Sequence, residues 1–188
     1  MRHFEVRLAG EGGQGLILAG IILAEAAAVH DGMNAVQTQS YGPESRGGAS
    51  KAEVIISDGA IDYPKVNNPD VLLVMSQMAH DKYVPDLKRG GTLIVDTSNV
   101  TPAVPDGAKV FAVPISEIAV KVTGREIAAN IVALGALVRA TGLVTDDGIR
   151  RAVADRVPKG TADVNLKALT AGMEVVAGQE SVSGVSHL

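Results

Sequence analysis

The chain has 188 residues, 46% of them hydrophobic but only 3% aromatic, and a formal net charge of -4; that length suffices for one sizeable core, packed mainly by Ala, Val, Ile and Leu, a mix suited to a buried parallel sheet between helices. Acids and bases are intermixed, with Lys88-Arg89 and Arg150-Arg151 as isolated pairs, which argues against nucleic acid, and Glu25 cuts the longest apolar stretch before it reaches the roughly 18 residues of a membrane helix. There is no cysteine, which excludes disulfides, thiolate zinc sites and a cysteine-ligated iron–sulfur cluster within this chain.

The N-terminus enters a strand at once, Phe4 to Ala9, with no cleavable leader in front of it, so a cytoplasmic protein is expected. Gly10-Glu11-Gly12-Gly13-Gln14-Gly15 follows and opens an apolar helix running from near Gln14 to about Val29. The spacing is G-x-G-x-x-G in its required context, strand before and helix after. Glycines permit the sharp turn and close approach of a ligand, while unpaired N–H groups at the helix start attract an anion. Gly10, Gly12, Gly13, Gln14 and Gly15 are therefore candidate cofactor-binding residues; glycines serving only a tight turn are the equal alternative. A dinucleotide site would also place an acid at the end of the second strand. That strand, Asn34 to about Gln39, ends in Thr38, Gln39 and Ser40, so a phosphate or packing turn is favoured over an NAD site. The first helix is apolar nearly all round, with Glu25 its one charged side chain, which calls for cover on several sides, by this domain or by another polypeptide.

Gln39 to Ser50 contains three glycines, one proline and a Glu-x-Arg pair, and so reads as an exposed, shaped loop. In a doubly wound sheet it would lie beside the glycine turn, beyond the carboxyl end of a strand. Arg46 offers a planar fork of donors suited to carboxylate or phosphate; a simple Glu44–Arg46 surface pair is the alternative. Lys51 to Ser57 is a strand with no helix before it, hence antiparallel or at an edge. Ile61 to Pro64 is expected to be extended, Val71 to Met75 a central strand ending in Ser76-Gln77, Asp81 to Leu87 a short helix, and Thr92 to Val95 and Ala108 to Val113 further strands. This alternation predicts an α/β fold: a Rossmann-like, mostly parallel sheet flanked by helices, with C-terminal helices packed on it.

Beyond Ser116 the pattern is helical. Glu126 to Thr141 places Ile127, Ile131, Leu134 and Val138 on one face and stops at Gly142; Thr145 caps a helix ending before Pro158; Asp163 caps another carrying Leu166, Leu169, Met173 and Val176. Residues 1–177 are expected to form a single domain and 178–188 a flexible tail. His3, His30, His80 and His187 are scattered, and no metal ligand is assigned among them. No catalytic acid, base or nucleophile is assigned either, since no His or Lys is paired with an orienting group.

The glycine turn, the loop Ser40-Tyr41-Gly42-Pro43-Glu44-Ser45-Arg46-Gly47-Gly48, the stretch Asn68-Pro69-Asp70-Val71-Leu72 leading to Ser76-Gln77, and Asn130-Ile131-Val132-Ala133-Leu134-Gly135-Ala136 together resemble the gamma subunits of 2-oxoacid:ferredoxin oxidoreductases, from about Phe4 to Val176. The loop is most similar to the 2-oxoglutarate type, although Ser45 stands where alanine is expected. The resemblance implies a subunit that is not self-sufficient. Partner alpha and beta subunits would hold thiamine diphosphate and Mg2+, iron–sulfur clusters would pass electrons to ferredoxin, and coenzyme A would take up the acyl group; a ferredoxin-like delta subunit is a further possible partner. The reaction implied is oxidative decarboxylation of 2-oxoglutarate to succinyl-CoA and carbon dioxide, or its reverse. No cofactor is expected on this chain alone. Tyr41, Gly42, Pro43, Glu44, Arg46, Gly47 and Gly48 would join the glycine turn in a rim that positions coenzyme A phosphates or docks a partner. The competing readings are a free-standing dinucleotide enzyme, with Asp58 or Asp96 as the ribose acid, and a purely architectural subunit.

Overall fold

The computed structural model describes residues 2–40, 49–179 and 182–183. Seven strands form one sheet: β1 (His3–Glu11), β2 (Asn34–Ser40), β3 (Ala49–Ser57), β4 (Val71–Val74), β5 (Thr92–Asp96), β6 (Lys109–Val113) and β7 (Val182–Ser183), in the order β2-β3-β1-β4-β5-β6-β7. β1, β4, β5 and β6 pair in parallel. β3 is antiparallel to both β1 and β2, and β7 is antiparallel to β6. β2 thus points the same way as β1, and only β3 and β7 run against the rest. The expected mostly parallel α/β sheet is what forms. β3 is antiparallel, as its missing crossover helix requires, but it lies inside the sheet between β2 and β1.

Among the described residues six α-helices follow from the local sequence. α1 (Leu16–Glu25) continues directly into a π turn, Ala26–His30. α2 (Gln77–Tyr83) begins four residues earlier than its expected start, because the Ser76 hydroxyl accepts from the Ala79 N–H at 3.3 Å and caps it. A 3-10 turn, Val84–Asp86, then carries the chain onward. α3 (Ile115–Thr123) stops at Gly124, whose φ of 73° suits glycine. α4 (Ala129–Thr141) follows the 3-10 turn Glu126–Ala128. α5 (Asp146–Arg156) has the expected Thr145 cap, its hydroxyl accepting from Gly148 N–H at 3.0 Å. α6 (Ala162–Ala177) has Thr161 at its cap position, so Asp163 sits in its first turn and does not cap it. Ile61–Pro64 belongs to no strand.

The sheet separates two cores. Val6, Leu8, Ala52, Val54, Ile56, Leu73 and Ile94 meet α1, α3, α4, α5 and α6 on one face. Ala9, Leu72, Val74, Leu93 and Val95 meet α2 and the Thr97–Gly107 crossover on the other. α4 is the central beam of the first core, buried from Ala129 to Val138. Its crossing with α6 is a backbone contact: a Cβ on Gly172 would lie 2.0 Å from the Val132 carbonyl oxygen, and one on Gly135 would lie 2.1 Å from that of Leu169. The all-apolar α1 finds its cover within the chain, from β1, β2, β3, α4 and α5, leaving Ile17, Leu18, Ile21 and Ala24 part-buried.

Candidate functional site

β1 delivers the chain to the glycine turn at the carboxyl edge of the sheet, and α1 leaves from it at Leu16. The turn's glycines do different jobs. At Gly10 a Cβ would lie 2.2 Å from Gln14 Oε1, and at Gly15, with φ 73°, one would lie 2.6 Å from Asn130 Nδ2. Gly13 needs its φ of 92°. These three are fixed by packing or by backbone conformation. Gly12 is not: its φ is not positive, and an added Cβ meets nothing within 4 Å. Gln14 braces the turn, accepting from Glu11 N–H at 2.7 Å through Oε1 and donating from Nε2 to the Met75 carbonyl at 3.1 Å. Both ends of its amide are thereby committed to backbone. Asn130 donates to the Gly15 carbonyl at 3.1 Å, tying the turn to α4. Among the described residues no side chain caps α1, so its first N–H donors have no side-chain partner there and stand at a positive dipole end.

Two hollows flank the turn. One of about 240 Å3 touches Gly13, Gln14, Met75, Ser116 and Glu126. The other, about 660 Å3, is walled by Gly13, Gly15, Leu18, Ile127 and Val164, with Arg125, Asn130 and Asn165 supplying polar groups. Ile127 is 80% exposed at its mouth. Its expected place on the core face of α4 is wrong because it sits in the 3-10 turn, where three residues per turn shift the phase of the apolar stripe. Ile131, Leu134 and Val138 are buried as expected. Arg125 has no salt-bridge partner among the described residues, and no motif in the sequence places it at this cleft.

Tyr41, Gly42, Pro43, Glu44, Arg46, Gly47 and Gly48 lie outside the described residues. Their anchors are described: Ser40 pairs with Lys51 and Ala49 with Glu11. β2 therefore ends and β3 begins side by side at the carboxyl edge, where the start of β3 lies next to the glycine turn.

The acids that a dinucleotide would need are elsewhere. Because β3 intervenes, the end of β2 is two strand spacings, roughly 10 Å, from β1. Asp96, at the end of β5, is wholly buried. Its Oδ1 accepts from the N–H groups of Ser98 and Ser116 at 3.0 and 3.3 Å, and its Oδ2 from Asn99 Nδ2 and the Ser116 hydroxyl at 3.0 and 2.7 Å. Asp58 follows the end of β3, at the opposite edge of the sheet, where it accepts from Arg2 N–H at 2.9 Å.

Ser76-Gln77, the polar pair at the end of β4, also serves the backbone. Gln77 Oε1 accepts from Thr101 N–H at 2.9 Å, and His80 Nε2 accepts from Ala103 N–H at 3.1 Å, so α2 clasps the crossover to β6. An amide only donates, so the ring proton sits on Nδ1, which lies 3.0 Å from Asp81 Oδ1. Donation from His80, and secondly from Gln77, holds the Asp81 carboxyl below its ordinary value. His30 lies with Glu25 and Asp155, their ligand atoms within 4.8 Å of one another.

A family model described as pyruvate ferredoxin/flavodoxin oxidoreductase matches residues 5–175. The chain belongs to the gamma subunits of 2-oxoacid:ferredoxin oxidoreductases. It is 52% identical over 173 residues to the 2-oxoglutarate synthase subunit KorC of Methanocaldococcus jannaschii, covering 91% of this chain and 92% of that one. A solved keto/oxoacid ferredoxin oxidoreductase gamma subunit from Geobacter sulfurreducens superposes with a TM-score of 0.86 at 50% identity, over 94% of this chain and 99% of the other. The 2-oxoglutarate:ferredoxin oxidoreductase of Magnetococcus marinus, solved with 2-oxoglutarate, coenzyme A and succinyl-CoA bound, shares the fold at 22% identity and a TM-score of 0.86. The match covers 97% of this chain but 32% of that polypeptide, so there the gamma fold is one part of a longer chain. This gamma subunit is thus a component of a multi-subunit oxidoreductase acting on oxo groups, and no helix among its described residues is long and apolar enough to cross a membrane.

Proposed function

We propose that this gamma subunit serves a complex that converts 2-oxoglutarate and coenzyme A to succinyl-CoA and carbon dioxide with ferredoxin as electron acceptor, or runs the reverse reaction. Its own part is to hold coenzyme A. The name of the methanogen relative supports the choice of 2-oxoacid. Alpha and beta subunits would carry thiamine diphosphate and Mg2+; iron–sulfur clusters also belong on partners, since this chain has no cysteine to ligate one. When bound there, those groups would supply decarboxylation and electron transfer.

The observation that carries the reading is Gly12. Neither backbone conformation nor packing among the described residues requires a glycine there, and the missing side chain opens the turn toward an uncapped helix start. Backbone N–H groups and the Arg125 guanidinium would meet phosphate oxygens by charge-assisted hydrogen bonds. The apolar walls of Leu18, Ile127 and Val164 would accept the uncharged arm of coenzyme A. Arg46, in the stretch joining β2 to β3, would add a second guanidinium.

In the purified complex, Arg125→Ala is expected to raise the KM for coenzyme A roughly tenfold or more, the worth of a charge-assisted hydrogen bond. The KM for 2-oxoglutarate and kcat at saturating coenzyme A should stay near wild type. An unchanged coenzyme A KM in both Arg125→Ala and Arg46→Ala would reassign the cleft to docking a partner. Turnover of pyruvate without turnover of 2-oxoglutarate would overturn the choice of substrate.

A further inference from the structure

A second cluster lies at the other end of α1, about ten residues or 15 Å along the helix from the glycine turn. Here α1 does not end but widens into the π turn Ala26–His30, with Asp31 N–H bonded to the Ala26 carbonyl, five residues back, at 3.0 Å. In a regular α-helix a residue five further on points about 140° away. The wider turn instead brings Glu25 and His30 over one another, and π turns of this kind recur at functional sites. Asp155 comes to the same point from α5. That helix is held against the π turn by Asp31, whose two carboxylate oxygens accept from Thr145 N–H at 2.7 Å and from its hydroxyl at 2.6 Å.

We propose that Glu25, His30 and Asp155 bind one divalent transition-metal ion of the zinc type, which pins α1 to α5. The three ligand atoms lie within 4.8 Å of one another. The His30 side chain is 14% exposed, yet its Nε2 atom is buried and has no hydrogen-bond partner among the described residues. Asp155 Oδ2 stands 3.5 Å from that nitrogen. That is a poor hydrogen-bond length, but it matches the edge of a tetrahedron whose corners lie about 2.0–2.1 Å from a central zinc, which is roughly 3.4 Å. The Glu25 carboxylate accepts from Arg156 Nε and is thereby already oriented, the outer-shell support that metal ligands usually have. Imidazole with two carboxylates suits Zn2+, Co2+ or Ni2+ better than Ca2+ or Mg2+. Asp155 is 60% exposed, so the fourth position opens to solvent. The two carboxylates and the Arg156 guanidinium leave a net charge of -1 around the ion. An imidazolium paired with Asp155 is the competing arrangement.

The test uses the full chain, free of added histidines and stripped with chelator, titrated with Co2+ and Zn2+. The expected result is one equivalent of Co2+ bound with the visible absorption of a tetrahedral or five-coordinate ion, displaced by Zn2+, and a rise in Tm with added Zn2+. His30→Gln and Asp155→Asn should each weaken binding tenfold or more, while His187→Gln and His3→Gln leave it unchanged. Asp155 is exposed, so Asp155→Asn decides the matter should His30→Gln fail to fold. No Co2+ spectrum and no Tm response up to millimolar Zn2+ would overturn the proposal, as would binding that survives Asp155→Asn.

Discussion

The two faces of the sheet are built on different physics. One is covered by five helices whose contact with the strands is almost wholly apolar, with α4 and α6 pressed together at paired glycines. The other has α2, a 3-10 turn and a crossover without a helix, and its apolar cluster is smaller. What it lacks in hydrophobic area is replaced by polar bracing. Arg7, 3% exposed, reaches from β1 to Glu53 Oε1 at 2.8 Å, to Asp86 in the 3-10 turn and to the Val66 carbonyl at 3.1 Å, with its guanidinium 5.1 Å from the Tyr83 ring centre. Lys51 supports the same Glu53 oxygen at 2.8 Å. The helical face resists added volume, whereas the thin face resists loss of charge partners.

The sharpest way to test that contrast is to overfill the helical face. Gly172→Ala would drive a methyl into the Val132 carbonyl oxygen, and a loss above about 3 kcal/mol, beyond ordinary overpacking, is expected in urea unfolding. A loss under about 1 kcal/mol would mean that α6 can slide away and that the glycine contact is not constraining. Next in size, Arg7→Met strips the thin face of its brace and leaves buried Glu53 with Lys51 alone. A cost of about 3 kcal/mol is expected, recovered in part by adding Glu53→Gln. A neutral Arg7→Met would show that the thin face is held by apolar contact after all. The smallest effect belongs to the clasp on the crossover. Folding lowers the pKa of Asp81 from its ordinary 3.8, so its stabilisation is complete above that value and is lost as pH falls through the lowered one. The stability gap between wild type and Asp81→Asn should therefore be widest near neutrality and close in acid; a gap independent of pH would show that Asp81 does not steady His80 and Gln77.

The same contrast explains what was legible in the sequence. Strands β1, β2, β4 and β5 and helix α4 announce themselves through apolar runs and period, because burial dictates composition directly. The cap at Thr145 and the stop at Gly142 are equally local. Phase is not legible where the turn is not α-helical: an α-helical spacing puts Ile127, which sits in a 3-10 turn, on the core face, and the π turn that aligns Glu25 with His30 has no signature in the spacing. The cap that starts α2 at Gln77 is Ser76, four residues before the start expected at Asp81. At the candidate site, the strand, turn and helix of the glycine motif stand where the spacing puts them. Arg125 and Asn130 reach that turn only through tertiary packing; in the same way Asp155 and Arg156 meet Glu25 from 131 residues away in the case of Arg156. The Tyr41–Gly48 residues lie outside the described structure, so only their strand anchors are placed.

The outermost strands bear on how the molecule coexists with its own copies. Along β4 and β5 nearly every side chain is buried, and such strands left at a border would template further pairing, the route to aggregates. The described sheet instead terminates in β2, with Asn34, Gln37, Thr38 and Gln39 among its residues, and in the two-residue β7. Side chains that are largely polar on one border, and a two-residue described strand on the other, make these edges less adhesive than β4 or β5 would be in their place. The greasy centre of the sheet is thereby kept from propagating, a useful property in a subunit that must remain usable until its partners arrive.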